Sequence, residues 1–420
     1  MRVLIKSNVL VVSYDSGSYG HCPAIWANDK IHAIVGLERS VTLVTSPASD
    51  LVSGGNVRVI KVPSISLRDF RFEYATARSN SRASLLLTLF WPVALILGSV
   101  FDLAFKLIAG SLSDGRYSWA LLATPVLVSL RITNPTAQVF ATGGASSGPV
   151  SAVMASLFSK RKPVVEFQDP FIGKMMQLSP RASRAMLWLE RFIVRHCKKV
   201  VFVTRQAAMD AQARNKSLSR RIEHIYPGSR TFAPHDLSAE EAKFGTGLIE
   251  IFHMGTLYGS RNLDFCFKAL DSLYFRRLDL KGKVLVSNMG SVHLATLPEY
   301  LLREDFQDLK RRPREAAVQR AALADILLLV QHTDERSAET IPYKTYDYLN
   351  LDKPVLALGN SPELRQLVEQ TGGFFAQNSD VRAIEDALEK AIDMSLSDVP
   401  IRSVGPRINL SEQISLALNI

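Results

Sequence analysis

Two acids with seven residues between them, Glu339 and Asp347, bracket the stretch Glu339-Thr-Ile-Pro-Tyr-Lys-Thr-Tyr-Asp347-Tyr-Leu. An apolar run, Asp325-Ile-Leu-Leu-Leu-Val330, precedes it, and Lys353-Pro-Val-Leu-Ala-Leu358 follows. The pattern predicts a strand, an acid-bearing loop, a helix with a second acid, then another strand. Pro342 suits the first position of that helix, where a missing N–H costs nothing. Such a helix start offers a phosphate free backbone N–H groups and the positive end of the helix dipole. Lys344 adds a cation there, beside Tyr343. Asp347, one turn in, can accept hydrogen bonds from the vicinal hydroxyls of a ribose, and Glu339 from those of a sugar. This is the chemistry of a nucleotide-sugar site. The competing reading of each acid is a solvated surface charge.

A second loop, His253-Met-Gly-Thr-Leu-Tyr-Gly-Ser-Arg-Asn-Leu263, follows a predicted strand at Ile249–His253. Gly255, next to Thr256, lets the backbone approach a ligand closely. Arg261 has a fork that matches two oxygens of a diphosphate; otherwise it is a surface arginine after a glycine turn. In the first half, Phe140–Pro149 reads as a strand entering a small-residue loop and a helix. The strand Val164–Phe167 ends in Gln168-Asp169-Pro170, so Asp169 is either a ligand-facing acid or an Asx-turn before proline. His21 follows the loop Ser13–Gly20 and is read equally as functional or as a capping residue. The eight histidines are scattered and no Asp-x-Asp occurs. No metal and no cofactor are therefore expected; Arg261, Lys344 and helix N-termini would replace an ion.

The stretch from Glu339 to Asp347 resembles the "Glu, seven residues, Glu" motif of the retaining glycosyltransferases of family 4, with Asp347 in place of the usual second Glu. Its wording, "P-x-K-x-Y-[DE]-Y-L … K-P-V-L-A-L", is similar to members that build bacterial surface polysaccharides. The loop after Ile249–His253 is similar to the family's "G-x-L-x-x-x-[RK]". Val164–Phe171 is similar to a region that often ends "[RH]-D-P-W", with Gln168 where a histidine is common. The resemblance covers roughly residues 130 to 376. It implies an α/β chain of GT-B fold: two facing Rossmann-like, doubly wound domains with an interdomain cleft. It implies retaining, metal-independent transfer from a nucleotide-diphosphate sugar to a lipid-linked or glycan acceptor, in surface polysaccharide biosynthesis. Glu339 would position the donor sugar and Asp169 would serve the acceptor side, the two forming the catalytic set. Gly255, Thr256, Arg261, Glu339, Tyr343, Lys344 and Asp347 would hold the donor. The alternatives are another GT-B enzyme, such as a nucleotide-sugar 2-epimerase, and an inactive membrane-associated relative acting as a binding partner.

Further strands are expected at Val3–Val12, Val41–Thr45, Val57–Val62, Gln138–Ala141, Val200–Val203 and His224–Tyr226, then at Lys283–Ser287, Pro354–Leu358 and Gly373–Ala376. Helices are expected between them, for example Val150–Lys160, Arg181–Cys197 and Val381–Ile392. Strands that read as continuous apolar runs are those of parallel sheets buried on both faces. The expected organisation is an N-terminal acceptor-side domain at 1–232, a C-terminal nucleotide-sugar domain at 233–400, and a tail at 401–420 returning to the first.

The chain has 420 residues, 47% hydrophobic and 21% charged, which excludes a disordered or collagen-like protein. Three distant cysteines favour a reducing compartment over a disulfide framework. Charge is polarised. Residues 1–230 hold 29 Lys/Arg against 13 Asp/Glu, a net of +16, and the remainder holds 21 against 27, a net of −6. The first half should face something anionic. Nucleic acid is disfavoured, because aromatic residues are not interleaved with the basic ones. An anionic membrane surface fits better, since residues 83–101 carry no charge. Pro92 and the charges that follow argue against a span. An interfacial helix pair over 83–108 is expected instead, anchored by Phe90, Trp91 and Trp119 near Arg68, Arg71, Arg78 and Arg82; the competing reading is a buried core helix. The expected location is cytoplasmic, peripheral on the inner membrane.

Overall fold

The computed structural model describes residues 6–17, 22–79, 92, 96–100, 102–103, 116–174, 176–230, 247–397 and 408–419. The chain divides into two compact units, Met1–Pro227 with Leu410–Ile420, and Gly228–Asn409.

The first unit runs β1 (Lys6–Val12), α1 (Cys22–Gly36), β2 (Arg39–Thr45), β3 (Val57–Lys61), α2 (Leu67–Ser79), α3 (Tyr117–Thr133), β4 (Gln138–Ala141), α4 (Ser147–Ser156), β5 (Val164–Phe167), α5 (Pro180–His196), β6 (Lys199–Phe202), α6 (Arg205–Arg214) and β7 (Ile222–His224). The strands form one parallel sheet, ordered β3-β2-β1-β4-β5-β6-β7. Alternation along β1 builds a core on each face. Val9 and Val11 pack with Ile31 and Ile34 of α1 and with Leu410 and Ile414 of the C-terminal helix Leu410–Leu418. Leu10 and Val12 pack with Ala123, Val153, Met186, Ile193 and Ala207 of α3 to α6. Helices α3 to α6 therefore form one layer. Ser179 and Thr204 cap α5 and α6, each accepting a backbone N–H three residues on.

The second unit runs β8 (Ile249–Met254), β9 (Leu257–Tyr258), α7 (Asp264–Arg276), β10 (Val284–Met289), β11 (Val292–His293), β12 (Phe306–Asp308), α8 (Arg314–Leu323), β13 (Ile326–Val330), α9 (Arg336–Glu339), α10 (Lys344–Tyr348), β14 (Val355–Gly359), α11 (Pro362–Gln370), β15 (Phe374–Gln377) and α12 (Val381–Leu396). Its parallel sheet is ordered β12-β10-β8-β13-β14-β15, with β9 and β11 as a separate pair.

Several expectations change. The strand expected at His224–Tyr226 lies two residues earlier, as β7. Helix α1 fills the interval between the first two strands, where a helix was expected without bounds. Trp119 is not an interfacial anchor: it is fully buried, its indole N–H donates to the Val62 carbonyl at 2.8 Å, and its ring meets Tyr14 edge-on at 5.7 Å. The reason is the phase of α3, which aims Trp119, Ala123 and Leu127 at the sheet together. Phe90, Trp91, Arg82, His21 and most of 83–108 lie outside the described residues. Within that segment Ile96, Leu97, Val100 and Leu103 are exposed. Among the described residues no helix is long and apolar enough to cross a membrane.

Candidate functional site

Strand order in the second unit reverses beside β8. Chain order leads from β8 to β10 and β12 on one side, and from β13 to β14 and β15 on the other. The carboxyl ends of β8 and β13 thus flank the switch point where ligands settle in open parallel sheets. The first unit has the same feature between β1 and β4.

Just past β8, Gly255 turns the chain with φ +128°, a region that disfavours any side chain. Its amide donates to the Met289 carbonyl at 3.0 Å, and a Cβ on Gly290 would lie 2.1 Å from the Gly255 oxygen. Two glycines therefore let the loops after β8 and β10 pack backbone to backbone. A Cβ at Gly255 would lie 3.4 Å from Lys344 Nζ. The lysine of the first turn of α10 thus reaches across to the glycine loop of β8.

The lysine is held by groups that spacing did not reveal. Lys344 Nζ lies 2.5 Å from His253 Nε2, and His253 Nδ1 lies 2.7 Å from Asn288 Oδ1. Asn288 Nδ2 donates to the Gly290 carbonyl at 3.5 Å, which turns its oxygen toward the histidine. His253 Nδ1 is therefore the protonated nitrogen, and Nε2 accepts from Lys344. Burial, then the neighbouring lysine, pushes the His253 pKa well below its ordinary value. Burial, then Arg261, does the same to Lys344. Arg261 sits in a tight turn closed by reciprocal 3.0 Å backbone bonds with Tyr258, its guanidinium 5.2 Å from that ring's centre. Thr256 follows Gly255, and its neighbour Leu257 binds the Ser291 carbonyl at 2.9 Å.

Asp347 is 2% exposed and clamped. Arg314 Nη2 donates to its Oδ1 at 2.6 Å and Nε to its Oδ2 at 3.2 Å, while Ser229 Oγ also donates to Oδ1. The Arg314 guanidinium lies 4.7 Å from the centre of the Tyr343 ring. Tyr348 Oη accepts the Met254 amide at 2.8 Å, tying α10 to the end of β8. Glu339 ends α9 and is 4% exposed. Its loop is shaped by Gln331, whose amide donates to the Thr340 carbonyl at 2.9 Å and the Ser337 carbonyl at 3.3 Å. His332, after β13, meets Ser260 Oγ at 3.1 Å, linking this loop to the Arg261 turn.

Gly255, Thr256, Arg261, Tyr343, Lys344 and Asp347 thus belong to one connected edge of the second unit, with Glu339 closing the short helix α9, where a loop was expected. Asp169 belongs to the other unit, where it is exposed at the end of β5. Gln168 beside it is buried and donates to Thr142 Oγ1 at 3.3 Å. Sequence reasoning gave no role to His253, Asn288, Gln331 or Arg314; a polar residue ending an otherwise apolar strand was the available signal for the first two. Among the described residues no group of three or more His, Cys, Asp or Glu is placed to hold a metal.

Two parallel Rossmann-like sheets of this kind constitute the GT-B fold, and the chain has that fold. No protein-family model matches it, and no curated protein does. Solved structures do. An α,α-trehalose-phosphate synthase from Burkholderia xenovorans in complex with glucose-6-phosphate is 14% identical, with a TM-score of 0.61 over 98% of each chain. Anabaena HepE in complex with UDP-glucose is 13% identical, with a TM-score of 0.58 over 98% of this chain and 99% of that one. A glycosyltransferase from Rickettsia africae is 11% identical, with a TM-score of 0.59 over 98% and 94%.

Proposed function

We propose that the chain is a retaining, metal-independent glycosyltransferase that moves a sugar from a nucleotide diphosphate to a lipid-linked or glycan acceptor in surface polysaccharide biosynthesis, at the inner face of a cell membrane. The observation that carries this reading is the meeting of Lys344 with the Gly255 loop beside Arg261. A diphosphate laid there meets Arg261, Lys344 and the start of α10, with no side chain at Gly255 in its way. Charge that develops on the leaving diphosphate is neutralised by groups already in place. The bond from the sugar's anomeric carbon to the phosphate oxygen breaks, the acceptor oxygen bonds to that carbon on the same face, and the acceptor's proton passes to the departing phosphate oxygen. Glu339 orients the donor sugar. Asp347, fixed by Arg314 and Ser229, stands at the ribose end, and Asp169 serves the acceptor. The exposed apolar residues of 96–103 and the positive first half suit an acceptor drawn from an anionic membrane.

HepE was solved with UDP-glucose, so UDP-sugars head the panel to test. Thermal unfolding of the wild type, Arg261→Ala and Lys344→Ala is measured with UDP-, GDP-, ADP- and CMP-sugars. One donor at a hundred times its Kd should stabilise the wild type by about 2.7 kcal/mol, and neither variant should respond. Absence of any response in the wild type, or an equal response in all three proteins, would overturn the donor site.

A further inference from the structure

After Pro180, every exposed residue of α5 is arginine or tryptophan: Arg181, Arg184, Trp188, Arg191 and Arg195. The spacing of three, four, three and four residues puts them in one stripe, about 21 Å long at the helical rise. The single carboxylate of α5, Glu190, points the other way. It is 1% exposed and is taken up by Arg214 at 2.7 Å and Asn215 at 2.6 Å. Among the described residues no carboxylate pairs with the four stripe arginines. Three arginines of the second unit behave differently: Arg276 and Arg303 are each bridged to two acids and Arg277 to three. Trp188 is 65% exposed, yet its ring stacks on Phe192 at 5.4 Å and 13°, which fixes the indole at the centre of the stripe. In the same layer α4 is followed by exposed Leu157 and Phe158, then by exposed Lys160, Arg161 and Lys162.

We propose that this face of the first unit docks on the anionic surface of a lipid bilayer, with α5 lying along it. The proposal rests on the reading that the chain works at a membrane, and it assigns the contact to a surface that the apolar 83–108 segment does not include. Each guanidinium can fork onto lipid phosphate oxygens, and an exposed indole flanked by cations fits the headgroup layer. A straight, one-residue-wide row of charge suits a plane. A nucleic acid would need further aromatic platforms beside the charges, and α5 exposes one aromatic ring.

Full-length protein is sedimented with phosphatidylcholine vesicles, with and without phosphatidylglycerol. Three forms are compared: the wild type, Arg184→Gln/Arg191→Gln/Arg195→Gln on α5, and Arg68→Gln/Arg71→Gln/Arg78→Gln on α2. At roughly a fivefold change in partitioning per basic residue, the α5 variant should bind anionic vesicles about a hundredfold more weakly. It should keep its thermal response to the donor nucleotide, and the α2 variant should bind far better than it does. Trp188 emission should shift to the blue on anionic vesicles, a change missing in Trp188→Phe. Undiminished vesicle binding by the α5 variant would overturn the assignment while leaving the membrane reading standing. Failure of the wild type to bind any vesicle would overturn both, and retention on single-stranded RNA alone would hand the stripe to a nucleic acid.

Discussion

Lys344 Nζ lies 2.5 Å from His253 Nε2, so the cation that faces the glycine loop is aimed by a histidine that is itself aimed by Asn288 at 2.7 Å. The order of dependence is fixed by chemistry. Asn288 offers an oxygen, which demands a proton on Nδ1, which leaves Nε2 to accept from the lysine.

Removing the outermost member should therefore weaken phosphate binding without touching a phosphate contact. Asn288→Ala frees His253 to adopt the other tautomer, whose Nε2–H confronts the lysine. Affinity for the nucleoside diphosphate should fall about tenfold, the worth of one buried hydrogen bond. Titration calorimetry measures the affinity, and the nitrogen chemical shifts of His253 report the tautomer. Unchanged shifts alongside unchanged affinity would show that Asn288 aims nothing.

Asp347 makes a different prediction, because its carboxylate is spoken for by Arg314 and Ser229. Asp347→Ala strands a guanidinium with little access to water. Loss of one partner from a buried pair costs about 3 kcal/mol or more. Asp347→Ala should thus lower the unfolding free energy read from urea titration by that amount, moving the midpoint down, and Asp347→Ala/Arg314→Met should recover most of it. If neither variant shifts the midpoint, the clamp contributes nothing to the fold.

What could be read in advance followed from burial. Ile326–Val330 is apolar throughout and Ile249–Met254 at four of six positions, because both faces of a parallel strand are covered, so they stood out as strands. The Lys344 helix stood out because proline and acid fall at fixed offsets within a dozen residues. The partners of those groups lie far off in the chain: Asn288 is 35 residues from His253, and Lys344 is 91. Trp119 was misplaced for the same reason, since the carbonyl that receives its N–H is 57 residues earlier. The bounds of helix α1 could not be read, because it carries Lys30 inward, to a buried ion pair with Glu166 at 3.0 Å, and so lacks a plain polar face.

Glu73 of α2 ties the stability of the first unit to pH. It is fully buried, accepting from Tyr14 at 2.9 Å, the Ser64 amide at 3.0 Å and Ser64 Oγ at 2.5 Å, with Asp69 and Arg116 nearby. Burial raises its pKa to about 7, outweighing the hydrogen bonds that lower it. A pKa raised in the fold means that the native state holds the proton after the unfolded chain has lost it. The contribution is complete below the ordinary glutamate value and fades as pH climbs through 7. Its size is about 3 kcal/mol. Urea unfolding followed from pH 4 to 8 should show that decline in the wild type and a flatter profile in Glu73→Gln. Parallel profiles would assign the decline elsewhere.

Lys344 carries the opposite sign. Burial and Arg261 hold its pKa well below that of a free lysine, so over the interval up to an ordinary value near ~10.4 the unfolded chain binds the extra proton. Stability of the ligand-free protein should rise with pH through that interval, because the fold no longer has to bury a charge. Methionine keeps the length of the side chain and removes the charge. Lys344→Met should therefore unfold with a weaker dependence on alkaline pH and should lose its response to the nucleoside diphosphate. In the wild type the arriving diphosphate restores the reason to be charged, so binding should take up a proton. Calorimetry in two buffers of different ionisation enthalpy, repeated from pH 6 to 10, reads that proton directly. Equal heats in both buffers for the wild type would mean that Lys344 is already charged when the diphosphate arrives.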